Sequence, residues 1–257
     1  MRILMIGDVV GSLGRRTVRA LLPALRRELT LDLVIANGEN AAGGRGLTNA
    51  TAQELFNAGV DILTSGNHVW EHREAYDLLD GEAPILRPLN YPPAVPGHGF
   101  LVYRGVGVLN VMGRTFTGLT LDCPFRAADD ALPSLKAETA VVIVDMHAEA
   151  TSEKAGMGWY LDGRAGAVLG THTHVATADG RILPQGTAYI TDVGMVGPRD
   201  SIIGMEVSPI LERFLTQLPT RFSPVERGAA IFNAVLVEVD EESGRALAIQ
   251  RIDRELP

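Results

Sequence analysis

Five short segments of the chain place side chains that can bind metal ions directly after hydrophobic runs. These side chains are Asp8, Glu39-Asn40, Asn67-His68, His147 and His172-Thr173-His174. Aspartate, glutamate, asparagine and histidine together form a mixed oxygen and nitrogen ligand set that suits manganese, iron or zinc. Active sites of open α/β proteins form where strands end on one edge of a sheet. The pattern therefore predicts a metalloenzyme.

Taken singly, these residues have simpler explanations. Asp8 could form a turn, Glu39 could be an exposed loop acid, and His147 could be a hydrogen-bonded core residue. The spaced glycines of residues 7–14 also suggest a dinucleotide-binding turn. That segment lacks the Gly-x-Gly-x-x-Gly spacing, however, and it has an acid where a phosphate would approach. Metal binding is favoured because all the candidates follow strands, and a metal needs several ligands brought together.

The histidine-containing segments differ in the chemistry that they predict. Asn67 offers a neutral carbonyl ligand, while the adjacent His68 points elsewhere and is free to transfer protons. If His172-Thr173-His174 is extended, both imidazoles lie on one side of the segment and can serve adjacent ions. We expect His72 to be structural and His98 to be an ordinary surface residue.

Hydrophobic periodicity in the first third of the chain predicts alternating strands and helices. The expected strands are Ile3–Ile6, Leu33–Ala36 and Ile62–Thr64, and the expected helices lie around residues 18–29 and 51–58. Pro23 falls inside the first helix, where we expect a kink or an early break. This order is βαβαβ, which implies parallel strands with right-handed crossovers.

The rest of the chain adds further strands and two hairpins. Hairpins are expected at 100–103 with 106–111 and at 231–239 with 246–252, and single strands at 141–144, 167–169 and 187–191. The glycine-rich segment 191–200 is expected to line the site. About ten strands suggest an α/β fold of two packed mixed β-sheets flanked by helices. We expect one domain spanning residues 1–257.

Composition and charge narrow the class of protein. The 257 residues are 46% hydrophobic and 21% charged, which is typical of a globular chain. A net charge of −8 argues against coating of nucleic acid and against binding to acidic membranes. The first apolar stretch is too short for a signal peptide, and no run approaches a membrane span. The single Cys123 cannot form an internal disulfide. We therefore expect a cytoplasmic location.

In order and content, the motifs resemble those of the calcineurin-like metallophosphoesterases, and most closely those of their bacterial YmdB-type branch. The matching segments are 7–11, 38–42, 66–70, 145–149, 170–174 and 191–204. The wider superfamily has a histidine where this chain has Val10, and an aspartate where it has Glu39. The YmdB-type branch shares both changes, and in that branch Asn40 would replace the missing histidine.

The resemblance implies a pair of β-sheets flanked by helices and a centre of two divalent or mixed-valence metal ions. Iron or manganese is favoured, and zinc is an alternative. One ion would take Asp8, Glu39, Asn40 and His174, and the other would take Glu39, Asn67, His147 and His172. The implied reaction is hydrolysis of cyclic nucleotides, 2′,3′-cyclic and also 3′,5′-cyclic, by a metal-bridging hydroxide. His68 would be the general acid.

Two other functions remain open on the same metal centre. The chain could be a phosphomonoesterase or 5′-nucleotidase, or a regulator that binds nucleotide or RNA without turnover. Four arginines are candidate phosphate or base contacts, although each is expected to be solvated at the surface: Arg45, Arg164, Arg181 and Arg199. The proline-rich connection at 84–96 and the Leu/Phe-containing segment after Ser208 suggest a homo-oligomer.

Overall fold

The computed structural model describes residues 1–257 as thirteen strands and six helices. The strands are β1 (Arg2–Ile6), β2 (Asp8–Val9), β3 (Leu33–Asn37), β4 (Ile62–Thr64), β5 (Phe100–Tyr103), β6 (Val106–Met112), β7 (Val141–His147), β8 (Ala167–Thr171), β9 (Arg181–Ile182), β10 (Ala188–Ile190), β11 (Met195–Pro198), β12 (Ala230–Val239) and β13 (Ala246–Leu256). The helices are α1 (Gly11–Glu28), α2 (Asn49–Ala58), α3 (Glu74–Leu79), α4 (Pro124–Glu138), α5 (Thr151–Tyr160) and α6 (Val207–Thr216).

The first sheet is built around the N-terminal strand β1. On one side, β1 pairs parallel with β3, which pairs parallel with β4. The βαβαβ order predicted for this part of the chain is therefore confirmed. On its other side β1 pairs antiparallel with β12. The start of β12 also pairs with β11, and its opposite edge pairs along its length with β13, which confirms the C-terminal hairpin.

The second sheet has the strand order β5-β6-β7-β8-β10-β9. Its four central strands are parallel, and the two edge strands are antiparallel to their neighbours. The predicted hairpin of β5 and β6 turns at Arg104 and Gly105, whose φ angles are 49° and 78°. Positive φ at both central residues is what a two-residue type I′ hairpin requires.

Alternation of side chains along the strands produces three apolar layers. Ile3 and Met5 of β1 belong to the layer between the sheets, whereas Leu4 belongs to the layer beneath α1 and α2. In β7, Ile143 likewise faces the first sheet, and Val144 packs in the layer that includes residues of α4 and α5. The resulting order is helix, sheet, sheet, helix. It confirms the predicted fold class.

Pro23 does not break its helix, so the expectation of an early break was wrong. Helix α1 continues through Pro23 to Glu28. Proline has no N–H to donate to the carbonyl of Arg19, which lies one turn earlier in the helix. Both Pro23 and Arg19 are on the exposed side of α1, so water can hydrogen-bond to that carbonyl. No helix in the chain combines the length and apolar character that crossing a membrane requires.

A buried ion pair fastens the loop that contains His172 and His174. Lys154 of α5 is fully buried, and its Nζ lies 2.6 Å from Oδ2 of Asp192. That oxygen also accepts the backbone N–H of Thr173 at 3.1 Å and its hydroxyl at 2.7 Å. The ion pair therefore links α5 directly to the residue between the two histidines.

The same loop has backbone conformations that need external support. His172 and His174 have φ angles of 100° and 63°. Left-handed conformations at non-glycine residues cost about 1–3 kcal/mol each. One carboxylate oxygen of Asp192 accepts hydrogen bonds from Thr173, the residue between the two histidines. The other oxygen accepts the N–H of Gly194 at 2.8 Å. The Gly194 carbonyl in turn accepts the N–H of Asp8 at 3.0 Å, so one carboxylate supports both sides of the loop cluster.

Replacing Lys154 with methionine will lower the free energy of unfolding by about 3–5 kcal/mol, because Asp192 is left buried without its partner. Chemical denaturation of the metal-free protein measures this loss. Lys136 is the only other lysine and is exposed on α4, so Lys136→Met is the matched control. Its expected change is within about 0.5 kcal/mol. Equal losses in the two variants would contradict a supporting role for the ion pair.

Candidate metal centre

His147 lies at the centre of the side chains that the sequence singled out. Its Nε2 is 3.1 Å from Oε1 of Glu39, 3.1 Å from Oδ1 of Asn67 and 3.1 Å from Nδ1 of His172. Atoms bound to one cation at about 2.1 Å are separated from one another by roughly 3.0–3.4 Å. The four side chains therefore have the spacing of ligands that share an ion. They come from both sheets.

A chain of hydrogen bonds beneath His147 fixes which ring nitrogen faces this cluster. The hydroxyl of Thr171 donates to Asp145 at 2.7 Å, so its oxygen accepts the Nδ1–H of His147 at 2.9 Å. Asp145 is fully buried and also accepts hydrogen bonds from Thr64 and Asn37. With Nδ1 occupied, Nε2 is the nitrogen available to a metal ion.

A second group of side chains adjoins the first. Nε2 of His174 lies 3.8 Å from Oδ1 of Asp8, and its Nδ1 donates to the carbonyl of Ile203 at 2.9 Å. The amide nitrogen of Asn40 donates to the carbonyl of Gly44 at 3.0 Å, which leaves its Oδ1 as the remaining polar atom. His174, Asp8 and Asn40 are all buried.

Two buried oxygens in this group have no hydrogen-bond partner. They are Oδ1 of Asp8 and Oδ1 of Asn40. A buried acceptor left unpaired costs about 1–3 kcal/mol. A cation is a suitable partner for each of these oxygens, because carboxylate and amide oxygens are metal ligands. The residues present therefore fit a metal ion at this position.

Burial and neighbouring charges shift the pKa values of several side chains in the metal-free cluster. Burial raises the pKa of Asp8 to about 6, although His174 and His147 oppose this shift. Burial would also raise the pKa of Glu39, but the adjacent His147, and then His68, lower it to about 2. Burial and the charge of His147 lower the pKa of His172 to about 3. At neutral pH, two carboxylates are therefore ionised beside a neutral His172.

His147 carries the compensating charge. Burial alone would lower its pKa, but Glu39, followed by Asp8 and Asp145, raises it to about 9. The protonated imidazole thus provides positive charge beside carboxylates that have left water. A divalent cation would replace that proton.

His68 faces a different partner from the other candidates. Its backbone N–H donates to Oε2 of Glu39 at 3.0 Å, which helps to orient that carboxylate. Its imidazole is half-buried, and Nδ1 lies 3.0 Å from Oε1 of Glu71. The ring therefore pairs with Glu71 and not with the cluster around His147.

Several predictions for this region need correction. The segment His172-Thr173-His174 is not extended, because β8 ends at Thr171 and both histidines have positive φ. Hydrogen bonds to Asp8 and Asp192 outweigh the strand preference there. His147 does not follow its strand but is the last residue of β7. Within segment 191–200, expected as a loop that lines the site, residues 195–198 instead form β11, in which Met195 pairs with Asp8.

The remaining histidines and three of the arginines lie outside the cluster. The ring of His72 donates to the backbone carbonyl of Arg45, and His98 is exposed, as expected. The three arginines are engaged elsewhere: Arg164 with Asp129, Arg199 with Asp200 and Glu255, and Arg181 against the ring of Trp159.

Sequence reasoning missed the residues that orient the candidates. Glu71 stands three positions after His68, a spacing that could have suggested the pair. Thr171 immediately precedes the His172-Thr173-His174 segment, but nothing local indicates that it binds His147. Lys154 and Asp192 are 38 positions apart, and no local pattern connects them.

Comparison with known proteins identifies the family of the chain. The model of the YmdB-like protein family matches residues 4–252. A Bacillus subtilis (strain 168) protein named 2′,3′-cyclic-nucleotide 2′-phosphodiesterase is 48% identical over 256 residues, which cover 98% of this chain and 96% of that protein. A Mycoplasma genitalium protein named as a putative phosphatase/phosphodiesterase is 34% identical, with 98% and 92% covered.

Solved structures show the same similarity. A Thermus thermophilus crystal structure, described as a hypothetical protein, has a TM-score of 0.93 at 50% identity and covers 100% of both chains. A Mycoplasma pneumoniae crystal structure, described as a novel phosphatase, has a TM-score of 0.93 at 33% identity, with 99% of this chain and 93% of that chain covered. From its sequence and its fold together, the chain belongs to the family of YmdB-like proteins.

Proposed function

We propose that the chain is a metal-dependent phosphodiesterase that hydrolyses 2′,3′-cyclic nucleotides, with His68 as the general acid. The named relatives confirm the enzyme class predicted from the sequence, a phosphoric diester hydrolase. The observation that carries the proposal is the arrangement around His147, where three further ligand atoms lie 3.1 Å from one nitrogen. The name of the Bacillus subtilis relative supports the 2′,3′-cyclic linkage. The 3′,5′-cyclic nucleotides are a second candidate substrate.

Family membership implies divalent metal ions, and the two groups of side chains fit two of them. We assign Asp8, Glu39, Asn40 and His174 to one ion, and Glu39, Asn67, His147 and His172 to the other. When bound, such ions neutralise phosphate charge and make water a stronger nucleophile. The ligand set suits iron or manganese and also admits zinc.

His68 supplies the proton that the leaving oxygen needs. Water contributes the oxygen of the new bond to phosphorus, and the bond from phosphorus to one ribose oxygen breaks. Because that oxygen stays attached to the same ribose, it can re-form the ring unless it is protonated. Glu71 holds Nδ1 of His68, so Nε2 is the atom from which the proton moves.

A phosphomonoesterase is the second candidate, because the similar Mycoplasma pneumoniae structure is described as a phosphatase. Both reactions would use the same metal ligands. A phosphodiester keeps one ester bond to phosphorus after cleavage, whereas a phosphomonoester keeps none. Comparing kcat/KM for 2′,3′-cyclic nucleotides and for nucleotide monophosphates separates them. A higher value for the monophosphates would replace the phosphodiesterase proposal.

The homo-oligomer expected from the segment after Ser208 remains a proposal. Helix α6 and the residues that follow it expose large apolar side chains, among them Leu211, Phe214, Leu215 and Leu218. Burying this face between copies would remove apolar surface from water. Sedimentation velocity tests the proposal, and a monomer at micromolar concentration would contradict it.

Replacing His68 with alanine will lower kcat by about two to four powers of ten while bound metal is retained, because the proton donor is lost but the ligands are not. Steady-state kinetics and elemental analysis of the same preparation measure the two effects. His98→Ala removes an exposed histidine and should change neither quantity. If His68→Ala also lost its metal, the residue would be a ligand.

The affinity of the metal-free protein for Mn²⁺ will rise with pH up to about 9. His147 must lose its proton to bind a metal, and its pKa is raised to about 9 by Glu39 against the effect of burial. Below that value the proton competes, so the affinity should increase about tenfold per pH unit. Isothermal titration calorimetry across this range measures the dependence. An affinity that is constant with pH would show that His147 is already neutral.

A further inference from the structure

A cavity of about 640 Å³ adjoins the loops of the metal centre. Its wall includes Ala42 and Gly43, which follow the Glu39-Asn40 segment closely in the chain. It also includes Glu71, the residue that binds the imidazole of His68. The cavity therefore begins beside the proposed general acid.

Unpaired positive charge is concentrated in this cavity. Its lining contains Arg45, Arg213 and Arg221, and none of these guanidinium groups makes a side-chain hydrogen bond or an ion pair within the chain. This differs from Arg164 and Arg199, which are neutralised by carboxylates. In a chain of net charge −8, unpaired guanidinium groups at one cavity favour an anionic ligand. Guanidinium groups match the geometry of phosphate well.

Apolar groups complete the lining and indicate more than a simple anion. Phe222 is 36% exposed, and it lines the cavity with Met205 and Pro219. Sites that bind single-stranded nucleic acid combine arginines that contact phosphate with aromatic rings on which bases stack. The cavity has both components.

The only carboxylate in the lining is Glu71, and it is already paired with His68. Glu71 therefore contacts the proposed proton donor and lines the same cavity as the arginines. A ligand that reacts at His68 and also contacts the arginines needs a second anionic group in addition to its reacting phosphate.

We infer that this cavity binds the nucleotide that precedes a 2′,3′-cyclic phosphate, and that the substrate class is an oligoribonucleotide with a cyclic 3′ end. The inference rests on the proposed function and extends it. Arg45, Arg213 and Arg221 contact the phosphate on the 5′ oxygen of the cyclic nucleotide, and Phe222 stacks on the preceding base. Attack of a ribose 2′-hydroxyl on its own phosphodiester generates such ends, so RNA strand cleavage of this type must supply the substrate.

Three synthetic substrates test this inference: a 2′,3′-cyclic mononucleotide with a free 5′-hydroxyl, the same compound with a 5′-phosphate, and a dinucleotide that ends in a 2′,3′-cyclic phosphate. We expect kcat/KM for the dinucleotide to exceed that of the unphosphorylated mononucleotide by about tenfold or more, since stacking of one base alone contributes about 1–3 kcal/mol. In the double variant Arg213→Gln/Arg221→Gln, this ratio should fall about tenfold, mainly through KM. Arg27→Gln, at an exposed position of α1, is the control and should retain the wild-type ratio.

A binding measurement keeps the inference testable without turnover. A fluorescent oligoribonucleotide with a 3′-phosphate should bind the metal-free protein, and the double arginine variant should weaken binding about tenfold. Phe222→Leu should weaken it as well, because it removes the stacking ring but keeps the charge.

The outcomes separate the inference from the proposed function. Absence of hydrolysis of all three compounds with Mn²⁺ or Fe²⁺ would overturn the proposed function. Equal kcat/KM for the three compounds, unchanged in the arginine variant, would overturn the cavity assignment alone. If the 5′-phosphorylated mononucleotide matched the dinucleotide and Phe222→Leu had no effect, the cavity would bind a terminal phosphate and the oligoribonucleotide assignment would be wrong.

Discussion

The burial of several ionisable groups around one imidazole is the constraint on which the rest of the structure depends. Asp8 and Glu39 are almost completely removed from water, and removing charge from water costs several kcal/mol per group unless it is compensated. In the metal-free protein the proton on His147 provides that compensation, while an oxygen of Asp8 and one of Asn40 have no partner. Folding therefore brings these buried polar and charged groups together at a cost in free energy. A bound cation would reduce that cost. Binding of a metal ion at this site would therefore be coupled to folding stability.

The two sheets each supply part of the cluster, so their packing sets the distances between the ligand atoms. Glu39 and Asn67 follow strands of the first sheet, whereas His147 and His172 lie at strand ends of the second. The layer between the sheets is closely packed and consists largely of branched aliphatic side chains. Closely packed interiors resist compression, so relative movement of the sheets is restricted and the spacing of the ligands is maintained. The apolar core between the sheets thus helps to set the geometry of the cluster.

Local sequence patterns predicted ten of the thirteen strands, the two hairpins and the layer order, because runs and alternation of apolar residues report which faces of a strand are buried. The short strands β2, β9 and β11 were missed, because two to four residues are too few to show such a pattern. Local patterns also identified the residues that gather at His147, because each lies at or just after the end of a strand and the order of the motifs is characteristic. Other features depend on contacts between distant positions. Pro23 is tolerated because of where the exposed side of α1 lies, and the bond from His147 to Thr171 depends on adjacent parallel strands. The same is true of Lys154, whose partner lies on a loop 38 positions away. No periodicity in the sequence contains that information.

The position of β12 in the first sheet has a consequence for the nascent chain. The strand that leads to Asp8 comes before the other strands of the sheet, yet its antiparallel neighbour is β12, and the amine of Met1 bonds to the carbonyl of Val239 across 238 positions. During translation, β1 consequently has one unpaired edge until β12 has left the ribosome. Topologies with such distant pairings close slowly. Every candidate metal ligand precedes β12 in the chain, but the sheet that positions Asp8 is complete only after β12 has paired with β1.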